Sequence, residues 1–227
     1  MRSVLVTGAA RGLGAALAER LENDGYAVVP ADVVPAADLH RLDVREEASW
    51  LEAADALREA GEPWALVNCA AVTIVRDLFE ITAAEWDEVL GVNLRGAFLG
   101  IRTIAPLLRE NGQGRIVNIS LDSAFKGFGA TGAHYAASKA GLITLTKRAA
   151  AALAGNGVTV NAIAPGTLDG DTVRELAGGQ LDSLRADVPL GRLGGLDEVA
   201  AVVAWLVSEQ SSYVTGTTVI VDGGAGL

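Results

Sequence analysis

Short apolar runs alternate with longer amphipathic stretches along the whole chain. Residues 3–7, 26–31, 65–68, 115–120, 158–163 and 218–221 form apolar, β-branched runs, and 39–42 forms a weaker one. Most lack a strict in–out alternation, as parallel strands covered on both faces do. Between them, residues 13–24, 46–60, 83–110, 135–155 and 197–208 are rich in Ala and Leu and predict helices, with a break inside 83–110. Strand–helix alternation at this spacing predicts right-handed βαβ crossovers. The expected architecture is α/β, a Rossmann-like doubly wound parallel sheet in a single domain over residues 1–227. Two glycine-rich connections interrupt the pattern, 124–133 and 166–195; the second predicts a short helix at 173–177 and carries Pro189. A connection that long in a compact domain commonly serves as a lid.

Composition narrows the partners. Half of the 227 residues are apolar, enough for one continuous core, and 20% are charged, which argues against disorder. Lys and Arg number 18 against 28 Asp and Glu, a net charge of −10. That balance disfavours nucleic acid and anionic membrane. The single cysteine, Cys69, excludes an intrachain disulfide and fits a reducing cytoplasm. Met1-Arg2-Ser3 leads straight into Val4-Leu5-Val6, an apolar run too short for a signal peptide or a membrane span. No cluster of His, Cys, Asp or Glu has metal-ligand spacing, so no metal is expected. His40 shows no such spacing. His134, beside Tyr135 on a helix, is expected to face away from it, onto the surface or an interface.

Candidate chemistry begins where the first strand meets the first helix. Gly8, Gly12 and Gly14 lie there, with Arg11 and Leu13 between them. Glycines permit positive φ and a close backbone approach to phosphate, and the helix adds free N–H groups and a positive dipole end. Asp32 ends the second strand, 18 residues beyond Gly14. A carboxylate there can accept hydrogen bonds from both adenosine-ribose hydroxyls and repels a 2′-phosphate, so NAD is expected over NADP. Arg11 argues the other way, since a basic loop residue can pair with that phosphate.

A second constellation lies in His134-Tyr135-Ala136-Ala137-Ser138-Lys139. Tyr135 and Lys139, four residues apart, share a helical face. A nearby ammonium favours phenolate, which makes a phenol a competent acid/base. Asn93 is a polar residue in an otherwise apolar helical run, and a buried amide must find partners.

These residues resemble the short-chain dehydrogenase/reductase family over essentially the whole chain. Thr7-Gly8-xxx-Gly12-x-Gly14 resembles its glycine loop, and Leu42-Asp43-Val44 its adenine-contacting segment. Asn68-Cys69-Ala70-Ala71 stands in place of its Asn-Asn-Ala-Gly turn. Asn93, Tyr135-xxx-Lys139, the segment Asn161 to Gly166, and Val214 to Gly224 complete the likeness. It implies cofactor contacts at Gly8, Arg11, Gly12, Leu13, Gly14, Asp32, Asp43, Val44, Asn68, Ala70, Tyr135, Lys139, Pro165, Gly166 and Leu168. It implies a catalytic set of Asn93, a serine, Tyr135 and Lys139, with Lys139 also on the nicotinamide ribose and the Asn93 backbone on a relay water.

The serine is displaced. Counting back from Tyr135 puts Asp122 in the family's serine position, whereas aligning on the strand puts Leu121 there. Ser123 shares strand parity with Leu121 and is the expected hydroxyl. Ser120 points to the opposite side. Two further readings stay open here, Asp122 as a replacement polar group and no functional hydroxyl at all. The substrate wall is expected from residues 72–75, 123–128 and 166–189, mixing Phe125 and Phe128 with Lys126, Thr131 and Thr167. That suits a moderately apolar secondary alcohol or ketone. The resemblance also implies a homo-oligomer, tetramer or dimer. Two rival functions remain, non-redox chemistry on the same scaffold (a cyclase or dehydratase) and a cofactor-binding regulatory protein.

Overall fold

The computed structural model describes residues 1–126, 131–177 and 181–227, the side chains of Lys126, Thr172, Leu176 and Ala177 excepted. One seven-stranded sheet runs through them. Its strands are β1 (Arg2–Thr7), β2 (Ala27–Asp32), β3 (His40–Arg41), β4 (Glu62–Asn68), β5 (Gly114–Ile119), β6 (Val158–Pro165) and β7 (Thr218–Val221). They stand in the order β3-β2-β1-β4-β5-β6-β7, and every pairing is parallel. The order reverses between β1 and β4, so the crevice outside their carboxyl ends is where such a sheet takes a ligand.

The helices are α1 (Gly12–Asn23), α2 (Glu47–Ala60), α3 (Ala83–Leu90), α4 (Ala97–Glu110), α5 (Ser123–Lys126), α6 (Ala133–Leu153), α7 (Asp171–Ala177), α8 (Leu181–Ala186) and α9 (Leu196–Val207). The period-two pleat of β1 sorts the core into two layers. Leu5 joins Leu66, Ile116, Trp50 of α2, and Leu99, Ile104 and Leu108 of α4. Val4 and Val6 join Leu17 and Leu21 of α1, and Val199, Val203 and Leu206 of α9. Full burial of each such side chain contributes about 1.5–3 kcal/mol.

Several elements differ from the sequence pattern. β4 begins at Glu62, ahead of the apolar run, because the Glu62 N–H donates to the Met1 carbonyl at 2.9 Å. Pro63 is tolerated there because the β1–β4 register shifts between Ser3 and Val4, beside it. The break inside 83–110 is a π-helical turn, Gly91–Gly96, that joins α3 to α4 without interrupting the rod. A capping box at Thr82 and Glu85 starts α3. The connection after β5 opens with α5 rather than with loop. The long connection after β6 carries α7 and α8, and a parallel bridge between Leu168 and Gly194 closes its base. Among the described residues no helix is long and apolar enough to cross a membrane.

Candidate active site

The turn after β1 is shaped by close contacts. Thr7 Oγ1 accepts from the Cys69 and Ala70 N–H groups, each at 3.0 Å, which ties the ends of β1 and β4 together. Gly8 (φ +72°) then passes so near that a Cβ would lie 2.7 Å from the Ala70 Cα, and a Cβ on Gly14 would overlap the Gly8 carbonyl. Gly12 needs its glycine for φ +58°, and nothing lies within 4 Å of the place its Cβ would take. Arg11 caps α1 without a side-chain hydrogen bond, and no acidic residue stands in the first turn. The first N–H groups of α1 and its positive end therefore meet an open cradle, which fits a pyrophosphate. Leu13 is half-buried against the α1–α9 core. The Arg11 guanidinium lies 4.0 Å from the Glu175 carboxylate of α7, and both are well exposed.

Asp32 closes the rim. Its Oδ2 accepts from the Ala10 N–H at 3.0 Å and its Oδ1 from the Val34 N–H at 3.2 Å, so the carboxylate is fixed between the glycine loop and the exit of β2. Asp43 is held differently. Arg45 grips both its oxygens, at 2.9 and 2.6 Å, and this hydrogen-bonded guanidinium lowers the carboxyl below its usual range. Val44 is buried, and its carbonyl accepts from Trp50 Nε1 at 2.9 Å. Asn68 Nδ2 donates to Asn118, which donates on to Thr146 of α6, while Asn68 Oδ1 is buried without a partner among the described residues. The Pro165 carbonyl accepts from the Asp122 N–H, the Gly166 N–H donates to the Val221 carbonyl, and Leu168 stands at the foot of the long connection.

Tyr135 is in the first turn of α6, and Lys139 follows one turn later on the same face. Lys139 is 2% exposed; its Nζ donates to the Ile119 carbonyl at 2.7 Å and lies 5.5 Å from the centre of the Tyr135 ring. The end of β5 thus anchors an ammonium beside the phenol. Asn93 sits in the π turn and is fully used. Its Oδ1 accepts from the Val72 N–H at 2.9 Å, and its Nδ2 donates to the Val72 carbonyl and to Ser138 Oγ, both at 3.1 Å. Ser138 in turn donates to the Tyr135 carbonyl at 2.7 Å. The Asn93 side chain therefore links the segment after β4 to the tyrosine helix. π turns recur at functional sites.

The two serines separate. Ser120 Oγ donates to the Lys139 carbonyl at 2.9 Å and is committed to α6. Ser123 is 9% exposed, and its Oγ has no hydrogen-bond partner among the described residues. The parity argument for Ser123 does not hold, because β5 ends at Ile119 and the chain turns before α5. The hydroxyl is buried for another reason, its place at the head of α5. His134 corrects a second expectation. It is 0% exposed, neither on the surface nor at an interface, because its ring packs on Gly132 at the start of α6. Burial pushes the Cys69 thiol up to about 11, the Lys139 ammonium opposing this, so it behaves as an inert side chain. Of the expected substrate wall, Val72, Thr73 and Ile74 are half-buried and Phe125 is exposed. Phe128 and the Lys126 side chain lie outside the described residues.

Ser138, Asn118 and Thr146 were not singled out from sequence. Ser138 carried a usable signal, since it stands three residues after Tyr135 on one helical face; the other two did not. Among the described residues there is no group of three or more His, Cys, Asp or Glu that could hold a metal ion.

A doubly wound parallel sheet with an open glycine cradle and a Tyr–Lys pair at the carboxyl ends of its strands is the architecture of a dinucleotide-fold enzyme. Residues 8–226 match a family model described as enoyl-(acyl carrier protein) reductase. The chain is 36% identical to the 3-oxoacyl-(acyl-carrier-protein) reductase FabG of Escherichia coli over 233 residues, 97% of this chain and 95% of that protein. It is 39% identical to the short-chain reductase protein NovJ of Streptomyces niveus over 243 residues, 97% and 92% of the two chains. The crystal structure of a putative gluconate dehydrogenase from Agrobacterium tumefaciens superposes with a TM-score of 0.93 at 31% identity, covering 99% of this chain and 95% of that one. The chain belongs to the short-chain dehydrogenase/reductase family of oxidoreductases.

Proposed function

We propose that the protein is an NAD(H)-dependent oxidoreductase that interconverts a small secondary alcohol and its ketone, with Tyr135 as the acid/base. The observation that carries this is the buried Lys139 ammonium, pinned by the Ile119 carbonyl 5.5 Å from the Tyr135 ring. It stands at the same carboxyl end of the sheet as the glycine helix, whose N-cap makes no side-chain hydrogen bond.

A bound nicotinamide supplies the hydride donor or acceptor. The N–H groups at the head of α1 and the glycines of the loop would hold its pyrophosphate. Asp32, already oriented by two backbone N–H groups, would take the adenosine ribose, and its negative charge disfavours a 2′-phosphate. Arg11, the one contrary feature, stands toward Glu175 of α7. In reduction the Tyr135 hydroxyl gives its proton to the substrate oxygen as carbon gains hydride, and in oxidation it takes that proton back. The Lys139 ammonium stabilises the phenolate left behind. The unpartnered Ser123 hydroxyl donates a second hydrogen bond to the developing alkoxide. The Asn93 side chain, spent on Val72 and Ser138, acts by holding its surroundings.

The assembly is a homo-oligomer, a reading supported by exposed apolar side chains at Leu190, Trp205 and Ile220 around α9 and β7.

Nicotinamide absorbance with a panel of alcohols and ketones, offered with NAD(H) and NADP(H) separately, tests the assignment. Turnover is expected, faster with NAD(H), and Tyr135→Phe should lower it about 1000-fold while nucleotide binding persists. No nicotinamide turnover on any substrate would remove the oxidoreductase reading, and a preference for NADP(H) would remove the Asp32 argument.

A further inference from the structure

His134 is left over by this chemistry. It is the second residue of α6, 0% exposed, yet neither Nδ1 nor Nε2 has a hydrogen-bond partner among the described residues. Two unpaired ring nitrogens in a buried site cost free energy that a phenylalanine of similar size avoids, so space-filling does not account for a histidine.

The surroundings point to what the nitrogens serve. The place a Gly132 Cβ would occupy is 2.6 Å from His134 Nδ1 and 2.7 Å from the Ile74 carbonyl oxygen. The missing Cβ lets the ring and that carbonyl approach one another across the N-cap of α6. The hydrogen bond is not made in this arrangement of the ring, so it requires the imidazole to turn toward that carbonyl. Ile74 belongs to the segment after β4 that forms the expected substrate wall. Asn93 already grips that segment at Val72, through both main-chain groups. One grip leaves a chain free to pivot; a second, two residues on, fixes its direction.

We propose that His134 is a positioning residue, its Nδ1–H holding the Ile74 carbonyl so that the substrate wall keeps one placement against the helix that carries Tyr135. The proposal rests on the active-site assignment above. It makes the wall, and with it the affinity for substrate, depend on a nitrogen at one ring position.

Three variants of the full chain test this, His134→Phe, His134→Asn and His134→Gln. Asparagine can offer its amide near the Nδ1 position, whereas glutamine offers it near Nε2. The first readout is hydrogen exchange of the amides of residues 72–76, with no ligand added. The second is KM and kcat for ethyl acetoacetate with NADH. Loss of one hydrogen bond should speed exchange and raise KM about fivefold to tenfold in His134→Phe, with kcat nearly unchanged. His134→Asn should return both toward wild type, and His134→Gln should resemble His134→Phe. Wild-type exchange and KM in His134→Phe would overturn the proposal, as would an asparagine variant no better than the glutamine one. Should His134→Phe fail to fold, the contrast between asparagine and glutamine decides alone. Should the wild-type protein reduce no ketone, the function proposed above falls, and hydrogen exchange still judges His134.

Discussion

Two hydroxyls close to each other in sequence are expected to answer very differently to the same substitution. Ser123→Ala removes a buried donor with no partner among the described residues and, under the proposed function, should cut kcat about 100-fold with little change in stability. Ser120→Ala instead takes a hydrogen bond from the Lys139 carbonyl and should lower stability by about 1 kcal/mol, with activity falling less. Steady-state kinetics and urea unfolding of the two variants distinguish them, and equal kcat losses would refute the assignment. Tyr135, Lys139 and the loop glycines were legible in the sequence because each depends on local spacing, four residues on a helix or a turn after a strand. The choice of serine was not, because strand parity stops being informative once the strand has ended at Ile119. Nor was the burial of His134, whose ring packs on Gly132, a contact that the spacing along its helix does not signal.

Among the elements, the π turn between α3 and α4 carries the most consequence. The hydrophobic pattern of 83–110 predicts a helix with a break and does not reveal that the break is a widened turn. Its effect is to seat Asn93 opposite Val72, where the amide satisfies two main-chain groups and reaches Ser138. Asn93→Ala should therefore destabilise the fold by about 1–3 kcal/mol, because it leaves buried groups of Val72 unpaired. Faster hydrogen exchange at residues 72–76 should accompany the loss, and unchanged exchange there would count against the link. The seven strands and the alternation of layers were readable, since burial on both faces leaves uninterrupted apolar runs. β4 extends beyond its run only because Met1 offers a carbonyl to Glu62, a pairing that no local pattern signals. α5 and α8 are too short for periodicity to reveal.

At the scale of the molecule, chemistry gathers at the carboxyl ends of the strands and a structural clasp at the opposite end. There the guanidinium carbons of Arg2 and Arg115 lie 3.7 and 4.7 Å from the centre of the buried Trp64 ring. Two carboxylates gripped by arginines shape the response to acid. Glu198, hydrogen-bonded first by Arg192 and then by the Gly195 N–H, is lowered to about 2. Glu85, held by the Thr82 N–H and by Arg76, is lowered to about 2 as well. A depressed carboxylate supports the fold fully above its unfolded value and loses that support as pH falls toward its folded value. The melting temperature should therefore decline between about pH 4.5 and pH 2, and Glu198→Gln should flatten the decline. Identical pH profiles for the variant and wild type would refute it. Light scattering on a gel-filtration column should show a dimer or tetramer, and a monomer at micromolar concentration would contradict the proposed assembly. The bridge between Leu168 and Gly194 fastens both feet of the long connection, with hydrogen bonds from Asp169 and Gly194 beside it. A segment clamped at its two ends can be exchanged like a cassette. New residues spliced between those feet would leave the sheet and the glycine cradle as they stand, so under the proposed function selectivity could be rewritten there without rebuilding the fold.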